Sequence, residues 1–259
     1  MGTAKEKTVI PRMLEVLGVP REGVLLVHSS FRGFHRDGYD AKAVLDAMVD
    51  YMKSGTLLLP TMSWRSVKPD ARYFDELKTP SNTGILTEIF RNDYAQRRSL
   101  HPTHSVAGVG RQVDEMLGTH HLSETPCSAE SPFGHLATAN GHVVMMGIGM
   151  DCCTLIHHVE EIFAADYYVC PPERRETYTC RDRHGTEHVV HLRRHLFLPR
   201  DYWQYQDRLH AEGNLRIFPC DTSICLGFRA TDMVSEVAES LKRRPDAIIA
   251  KPGQRYRMM

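Results

Sequence analysis

The chain has 259 residues, 42% hydrophobic and 25% charged, which is long and apolar enough to bury a core without disulfide or metal staples. Its 32 basic residues balance 32 acidic ones, which removes the main argument for a nucleic-acid partner or a polybasic membrane anchor. Seven cysteines without a CxxC pair favour free thiols over a secreted disulfide scaffold. With no apolar signal segment or membrane-length run, we expect one cytoplasmic domain over residues 1–259.

The first elements predicted in chain order form a strand–helix–strand unit. Residues 24–27 are an apolar run that predicts a buried strand, and polar side chains follow it. Residues 41–52 place apolar side chains at helical spacing, and residues 56–60 predict a second buried strand closed by Pro60. This succession indicates a βαβ unit with parallel strands.

The middle of the chain alternates predicted loops with short helices. Residues 63–83 and 123–134 are rich in turn-forming residues and predict loops. Thr83 is placed to cap a helix that runs through residues 88–91, and residues 111–117 predict another helix.

The last third of the chain adds a strand, a hairpin and two helices. Residues 142–149 predict a third buried strand leading into an apolar-periodic helix. Residues 177–197 alternate around a Gly185 turn, which predicts an antiparallel hairpin. Residues 231–243 predict an amphipathic helix capped by Thr231. The pattern indicates an α/β protein with a mixed, mostly parallel central sheet and a late antiparallel excursion.

The strongest candidate for chemistry is a pair of histidines and a pair of glutamates on the helix after the third strand. His157 and Glu160 are three residues apart and share a face, as do His158 and Glu161. A carboxylate beside an imidazole fixes its tautomer and raises its basicity, which suits a general base. The alternative is two solvated ion pairs on an exposed face.

A metal site is an alternative interpretation of the same four side chains. These four side chains, with His101 or His104, could supply zinc ligands for a hydrolase. The spacing is not that of an HExxH helix, and no cysteine pair has the spacing of a zinc finger, so we predict no metal.

Two further polar groups follow predicted strands or lie in loops. Ser29 and Ser30 end the first strand, where hydroxyls bind either a ligand or a backbone turn. Arg98, Ser99 and His101 lie in a proline-fixed loop suited to a phosphate or an amide-rich ligand. The sequence has no dinucleotide-binding glycine motif, P-loop or nucleophile elbow.

Taken in order, these segments resemble the aminoglycoside 3-N-acetyltransferase family over roughly residues 10–245. The matching pieces are His28-Ser29-Ser30-Phe31-Arg32, residues 55–61, Phe74-Asp75, Thr79-Pro80, residues 84–88, Arg98-Ser99-Leu100-His101-Pro102, Ser105, Ser131-Pro132-Phe133, Gly147 and residues 154–160.

The resemblance implies a three-layer α/β/α sandwich that transfers an acetyl group from acetyl-CoA to the primary amine of a small molecule. It implies that His157 is the general base, that Glu160 orients it and that Thr154 stabilises the oxyanion. The cofactor side would be lined by Ser29, Ser30, Arg98, Ser99, His101 and Ser105. The acceptor side would include Asp75, Glu161, Arg193 and Arg194.

The acceptor is the point at which the sequence departs from the family pattern. Aminoglycoside-modifying members carry an acidic late segment facing a polycationic drug, whereas residues 191–201 here are rich in arginine and histidine. If these side chains face the site, they would repel a substrate of charge about +4 or +5. The acceptor would then be either an aminoglycoside-like antibiotic or a neutral or anionic amine of natural-product biosynthesis. A non-catalytic CoA-binding protein is a further alternative.

Overall fold

The computed structural model describes residues 4–258, apart from the side chains of residues 4, 164–167 and 258. Its α-helices are α1 (Ala4–Val16), α2 (Arg32–Arg36), α3 (Ala41–Tyr51), α4 (Ile85–Asp93), α5 (Val113–Leu117), α6 (Pro132–Thr138), α7 (Leu155–Tyr168), α8 (Trp203–Ala211) and α9 (Ala230–Arg243). Its strands are β1 (Val24–Ser29), β2 (Thr56–Pro60), β3 (Tyr73–Asp75), β4 (Arg97–Arg98), β5 (Val106–Gly110), β6 (His142–Met146), β7 (Glu176–Arg181), β8 (Glu187–Leu192), β9 (Pro199–Arg200), β10 (Arg216–Cys220), β11 (Ser223–Arg229) and β12 (Arg257–Met258).

A seven-stranded mixed sheet runs through the molecule in the order β10-β11-β6-β1-β2-β5-β4. The central strand β1 pairs in parallel with β2 and β6, with Leu25 opposite Leu57 and His142. The flanking strands pair antiparallel. The predicted α/β class with a mixed sheet and a parallel core is confirmed. Within this sheet, parallel pairing is confined to the three central strands β6, β1 and β2. The antiparallel strands at its two edges have no clear sequence pattern from which they could be predicted.

The central strands are buried on both faces, which makes the fold three-layered. Leu25 and Val27 pack with α1, α3 and α4 on one face of the sheet, and Val24 and Leu26 pack with α5 to α9 on the other. Successive side chains of a strand point to opposite faces, so an unbroken apolar run is required where both faces are covered.

The predicted late hairpin forms a separate small sheet. Strands β7 and β8 pair antiparallel around a turn at Gly185, whose φ is +91°. The short strand β3 adds to β7 in parallel. The apolar side chains of this sheet form their own cluster, which includes Phe74, Tyr178 and Leu192.

Both predicted threonine caps are wrong. Gly84 precedes α4, and the Thr83 hydroxyl instead donates to the Pro60 carbonyl at 2.6 Å. Helix α9 begins at Ala230 with Arg229 at its cap position, so Thr231 lies inside the first turn. The predicted loop over residues 123–134 also ends inside α6, which is capped by the Ser131 side chain.

Within residues 4–258, no helix is both long enough and apolar enough to cross a membrane. All seven cysteines lie in this part of the chain and are free thiols.

Candidate active site

A pocket of about 1160 Å³ opens at the carboxyl ends of the parallel strands β1, β2 and β6. Open α/β sheets place their ligands at this edge. The volume exceeds the roughly 300–1,000 Å³ of an ordinary small-molecule site, which leaves room for two substrates at once. The polar side chains on its wall include His28, Ser29, Ser30, Arg32, His35, Asp40, Arg65, His104, Thr154, His157, Arg194, His195 and Arg257.

The chain reaches the pocket from β6 through a sharp turn into α7. Gly147 follows the strand with a φ of +64°, a conformation that a side chain disfavours. A Cβ atom there would lie 2.8 Å from the Ser30 carbonyl oxygen, so the two pocket segments touch at this glycine. The turn brings Thr154 to the start of α7 and His157 one turn further on.

A buried network holds the His157 ring. Its Nδ1 donates to Glu160 Oε2 at 2.7 Å, and the Tyr202 oxygen lies 2.9 Å from the same nitrogen. Glu160 Oε1 accepts from the Tyr202 hydroxyl at 2.7 Å and from Arg200 Nε at 2.9 Å. Because Nδ1 carries the hydrogen in this arrangement, Nε2 is left as the proton acceptor.

The network keeps Glu160 charged. Burial raises the pKa of this carboxyl, but the neighbouring His157 and Arg200 outweigh burial and lower it to about 2. Burial and the Glu160 charge hold the pKa of Tyr202 well above its ordinary value, so the hydroxyl remains a donor. A fixed carboxylate behind an imidazole stabilises the imidazolium formed when the ring accepts a proton.

A second histidine–glutamate pair lies beside the first. His195 Nε2 is 2.6 Å from Glu161 Oε1, which also accepts from the Cys127 amide at 2.9 Å. The His195 ring stacks on His157 with a centroid distance of 4.2 Å and an interplanar angle of 26°. Burial raises the pKa of Glu161 to about 7 and holds the pKa of His195 well below its ordinary value.

Three hydroxyls on the pocket wall have no hydrogen-bond partner among the described residues. They belong to Thr154, Ser29 and Ser30. Burial lowers the pKa of the nearby His28 to about 4, and its Nε2 also has no partner there. Neutral donors and acceptors of this kind are available to a ligand.

The four other residues predicted on the cofactor side lie behind the wall, in a buried network of their own. The Arg98 guanidinium donates to Thr61 and Ser105. Ser99 bonds the His120 ring at 2.9 Å, and the His101 Nδ1 accepts two backbone amides of its own loop. The structure does not bring these side chains to the pocket with Ser29 and Ser30, and their predicted role stays a prediction.

The predicted acceptor-side residues are dispersed. Only Arg194 lines the pocket, and it donates to Glu176 at 2.8 Å. The Asp75 carboxylate accepts from two backbone amides of its own turn, and Arg193 donates to the Cys170 carbonyl. Glu161 lies directly behind His195.

The arrangement does not assemble the zinc cluster considered from the sequence. His158 turns away from His157 and bonds the Cys127 carbonyl at 2.7 Å. In the described part of the chain, one trio has ligand atoms within 4.8 Å of one another: Cys127, Glu161 and His195. Its members are already joined by the two hydrogen bonds to Glu161, so we interpret the trio as a hydrogen-bonded cluster.

The sequence analysis gave no site role to His28, Arg200 or Tyr202, and included His195 only in the basic segment 191–201 that bears on the acceptor. His195 reaches the pocket through a bridge with Val169, just after α7, and Arg200 and Tyr202 follow on the same segment. The available signal was the polar run around Pro199, which combines histidine, arginine, aspartate and tyrosine.

Fold and site together define a three-layer α/β protein with an imidazole held by a carboxylate on the wall of a pocket large enough for two substrates. The family model described as aminoglycoside 3-N-acetyltransferase matches residues 26–242, and the chain belongs to this family of acyltransferases. The predicted family and enzyme class are therefore confirmed.

Individual relatives agree with this assignment. Aminoglycoside N(3)-acetyltransferase IV of Salmonella sp is 26% identical, over 94% of this chain and 90% of the relative. A crystal structure of a histidine-to-alanine mutant of aminoglycoside acetyltransferase AAC(3)-IVa in complex with a gentamicin has a TM-score of 0.79 at 24% identity, covering 95% and 92% of the two chains. A structure of AAC-IIIb with CoASH has a TM-score of 0.72 at 18% identity, covering 96% and 98%.

Proposed function

We propose that this protein transfers the acetyl group of acetyl-CoA to a primary amine of a small molecule, with His157 as the general base. The observation that carries the proposal is the 2.7 Å hydrogen bond from His157, on the pocket wall, to the charged Glu160 buried behind it. Membership of the family supports the acetyl donor, and the aminoglycoside-like amines of its members are the first acceptors to test.

His157, Glu160 and Thr154 have separate roles in the proposed acyl transfer. His157 Nε2 takes a proton from the amine as its nitrogen attacks the thioester carbon, and Glu160 stabilises the resulting imidazolium. The free Thr154 hydroxyl, at the N-terminus of α7, is placed to donate to the thioester oxygen as it gains negative charge. His157 then returns its proton to the departing thiolate sulfur, so no acyl-enzyme is needed.

The side of the pocket at the end of β1 suits the acetyl donor. Ser29 and Ser30 offer hydroxyls to the amides of a pantetheine arm, and Arg32 and His35 on α2 line the same pocket and offer positive charge to phosphates. Arg98 contributes by fixing Thr61 and Ser105 beneath this wall.

The test is a thiol-release assay with acetyl-CoA and a panel of amines. His157→Ala is expected to reduce kcat by about 10²–10⁴-fold because it removes the base from the attack step. A matched control is His121→Gln, since His121 pairs with His188 away from the pocket wall. Full activity in His157→Ala would refute the assigned base.

One observation favours a neutral or anionic acceptor over a polycationic drug. The charged wall residues of the pocket, within the described chain, are four arginines and one carboxylate, Asp40, which caps α3 by accepting from the Ala43 amide. Coenzyme A phosphates can neutralise part of this positive charge, but no set of carboxylates faces the space left for an amine.

A further inference from the structure

We propose that His195, hydrogen-bonded to Glu161, is a second catalytic base, which removes the first proton from the incoming ammonium group before His157 acts. This inference rests on the proposed acetyl transfer. It is carried by the geometry of the two pairs, which lie side by side on one pocket wall with their rings stacked at 4.2 Å.

The chemistry of the reaction requires two protons to leave the nitrogen. An alkylamine enters as R–NH₃⁺ at neutral pH, and only R–NH₂ has a lone pair with which to attack. The product amide keeps one hydrogen. A single base that returns its proton to sulfur accounts for one of the two protons, and the other needs a separate acceptor.

Each pair presents one free ring nitrogen. His157 is held at Nδ1 by Glu160, which leaves Nε2, and His195 is held at Nε2 by Glu161. His195 Nδ1 has no hydrogen-bond partner within the described residues. The side chains of the two histidines are 9% and 8% exposed, so both reach the pocket to the same small extent.

Atoms and charge balance over the whole reaction. R–NH₃⁺ gives one proton to His195 Nδ1 and becomes R–NH₂, and His195 releases that proton to solvent. The nitrogen lone pair then forms the C–N bond while His157 Nε2 takes the second proton. The C–S bond breaks with its electron pair on sulfur, and His157 protonates the thiolate. The sum is R–NH₃⁺ plus the thioester giving the amide, the thiol and H⁺.

The stacking fixes the order of these steps. Two imidazolium rings at 4.2 Å would repel each other strongly in a buried site, so His195 must lose its proton before His157 gains one. The titratable or charged groups packed around the pair, among the described residues, are His157, Glu160, Arg200, His101, His104, His158, Arg194 and Cys127. Burial lowers the pKa of His195 but raises that of Glu161 to about 7, so the hydrogen-bonded pair, rather than the imidazole alone, holds and releases the proton near neutral pH.

The test is the pH dependence of kcat/KM with an acceptor that the wild-type enzyme acetylates. His195→Gln keeps a donor for Glu161 but removes the base, and Glu161→Gln removes the partner of that base. Both variants should lose about tenfold or more below the pKa of the acceptor amine. Above that pKa the amine enters neutral, and both should approach the wild-type rate within about twofold.

The controls separate this proposal from its alternatives. His104→Gln alters a ring that packs edge-on against His195 at 5.6 Å, and should change the rate by one factor at every pH. The same pH-independent factor in His195→Gln and Glu161→Gln would overturn the proposal, because it indicates a structural or binding role. Stoichiometric zinc in the wild type that disappears in Cys127→Ser would also overturn it. Absence of thiol release by the wild type would instead refute the proposed function itself.

Discussion

Glu160 and Glu161 are neighbours in the chain, yet their environments shift the two pKa values in opposite directions from 4.5. Burial raises both, but His157 and Arg200 bring that of Glu160 down to about 2, whereas Glu161 stays at about 7. A lowered pKa stabilises the folded state above pH 4.5, and that stability is lost as the pH falls towards 2. A raised pKa stabilises the folded state at low pH, and that stability is lost as the pH rises from 4.5 through 7.

Glu161→Gln should therefore become more stable relative to the wild type as the pH rises from 5 to 8. The gain should approach about 3 kcal/mol, since one pKa unit corresponds to about 1.4 kcal/mol. The measurement is the free energy of unfolding in urea at several pH values. A difference that stays constant across this range would contradict the raised pKa of Glu161.

Glu160→Gln is the comparison variant for this experiment. It leaves the Arg200 guanidinium, whose side chain is fully buried, without its counter-charge, so it should cost about 3–5 kcal/mol near neutral pH. The difference in unfolding free energy between this variant and the wild type should shrink below pH 4.5, because the carboxylate then becomes protonated in the unfolded wild type and stabilises the folded state less.

At the level of residues, the sequence predicted the part of the site that is local in the chain. His157 and Glu160 are one helical turn apart, so their contact follows from helix geometry alone. Tyr202 and His195 reach the same place only through tertiary packing, which spacing cannot reveal. The same limit applies to Arg98, where sequence suggested a ligand contact and packing gives a buried structural network.

At the level of elements, the turn between β6 and α7 is the connection on which the site depends. Gly147→Ala introduces a side chain at a φ of +64° and 2.8 Å from the Ser30 carbonyl. We expect a loss of about 2–4 kcal/mol in urea unfolding, of which about 1 kcal/mol is backbone strain and the rest is the contact with Ser30. Activity should fall with it, because Ser30 and α7 would be pushed apart.

Gly38→Ala separates the cost of backbone strain from the cost of the contact with Ser30. Gly38 has a similar φ of +85°, but a Cβ atom there meets nothing within 4 Å. It should cost only about 1 kcal/mol. Equal losses in the two variants would mean that the contact with Ser30 contributes nothing.

The elements themselves were predictable where periodicity was strong. The strands β1, β2 and β6 are apolar because both faces of the sheet are covered, and helix α3 has clear amphipathic spacing. The edge strands β4 and β10 are short or half-exposed, with burial patterns that lack either signature. Thr83 shows why the predicted helix cap was wrong. Its hydroxyl donates to the Pro60 carbonyl at the end of β2, a tertiary contact that local sequence does not reveal.

At the level of the whole molecule, the net charge is zero, but the charges are unevenly distributed and basic side chains predominate on the pocket wall. The pocket wall carries Arg32, Arg65, Arg194 and Arg257 against Asp40. Arg194 is paired with Glu176 and Arg257 with Asp151, whereas Arg32 and Arg65 have no acidic partner within the described chain. The side chains of the wall therefore contribute a positive field, in which Arg65 is the unpaired charge not assigned to a coenzyme A phosphate.

The sign of this field predicts how salt changes acceptor use. At saturating acetyl-CoA, kcat/KM for an anionic amine, glucosamine 6-phosphate, should exceed that for glucosamine and should fall as ionic strength rises. For the polycation kanamycin, kcat/KM should be low and should rise with salt, because screening weakens the repulsion. Arg65→Glu should narrow or reverse the preference between the two sugars. If kanamycin is the best acceptor and salt inhibits its acetylation, the site binds polycations despite its arginines, and the acceptor is an aminoglycoside.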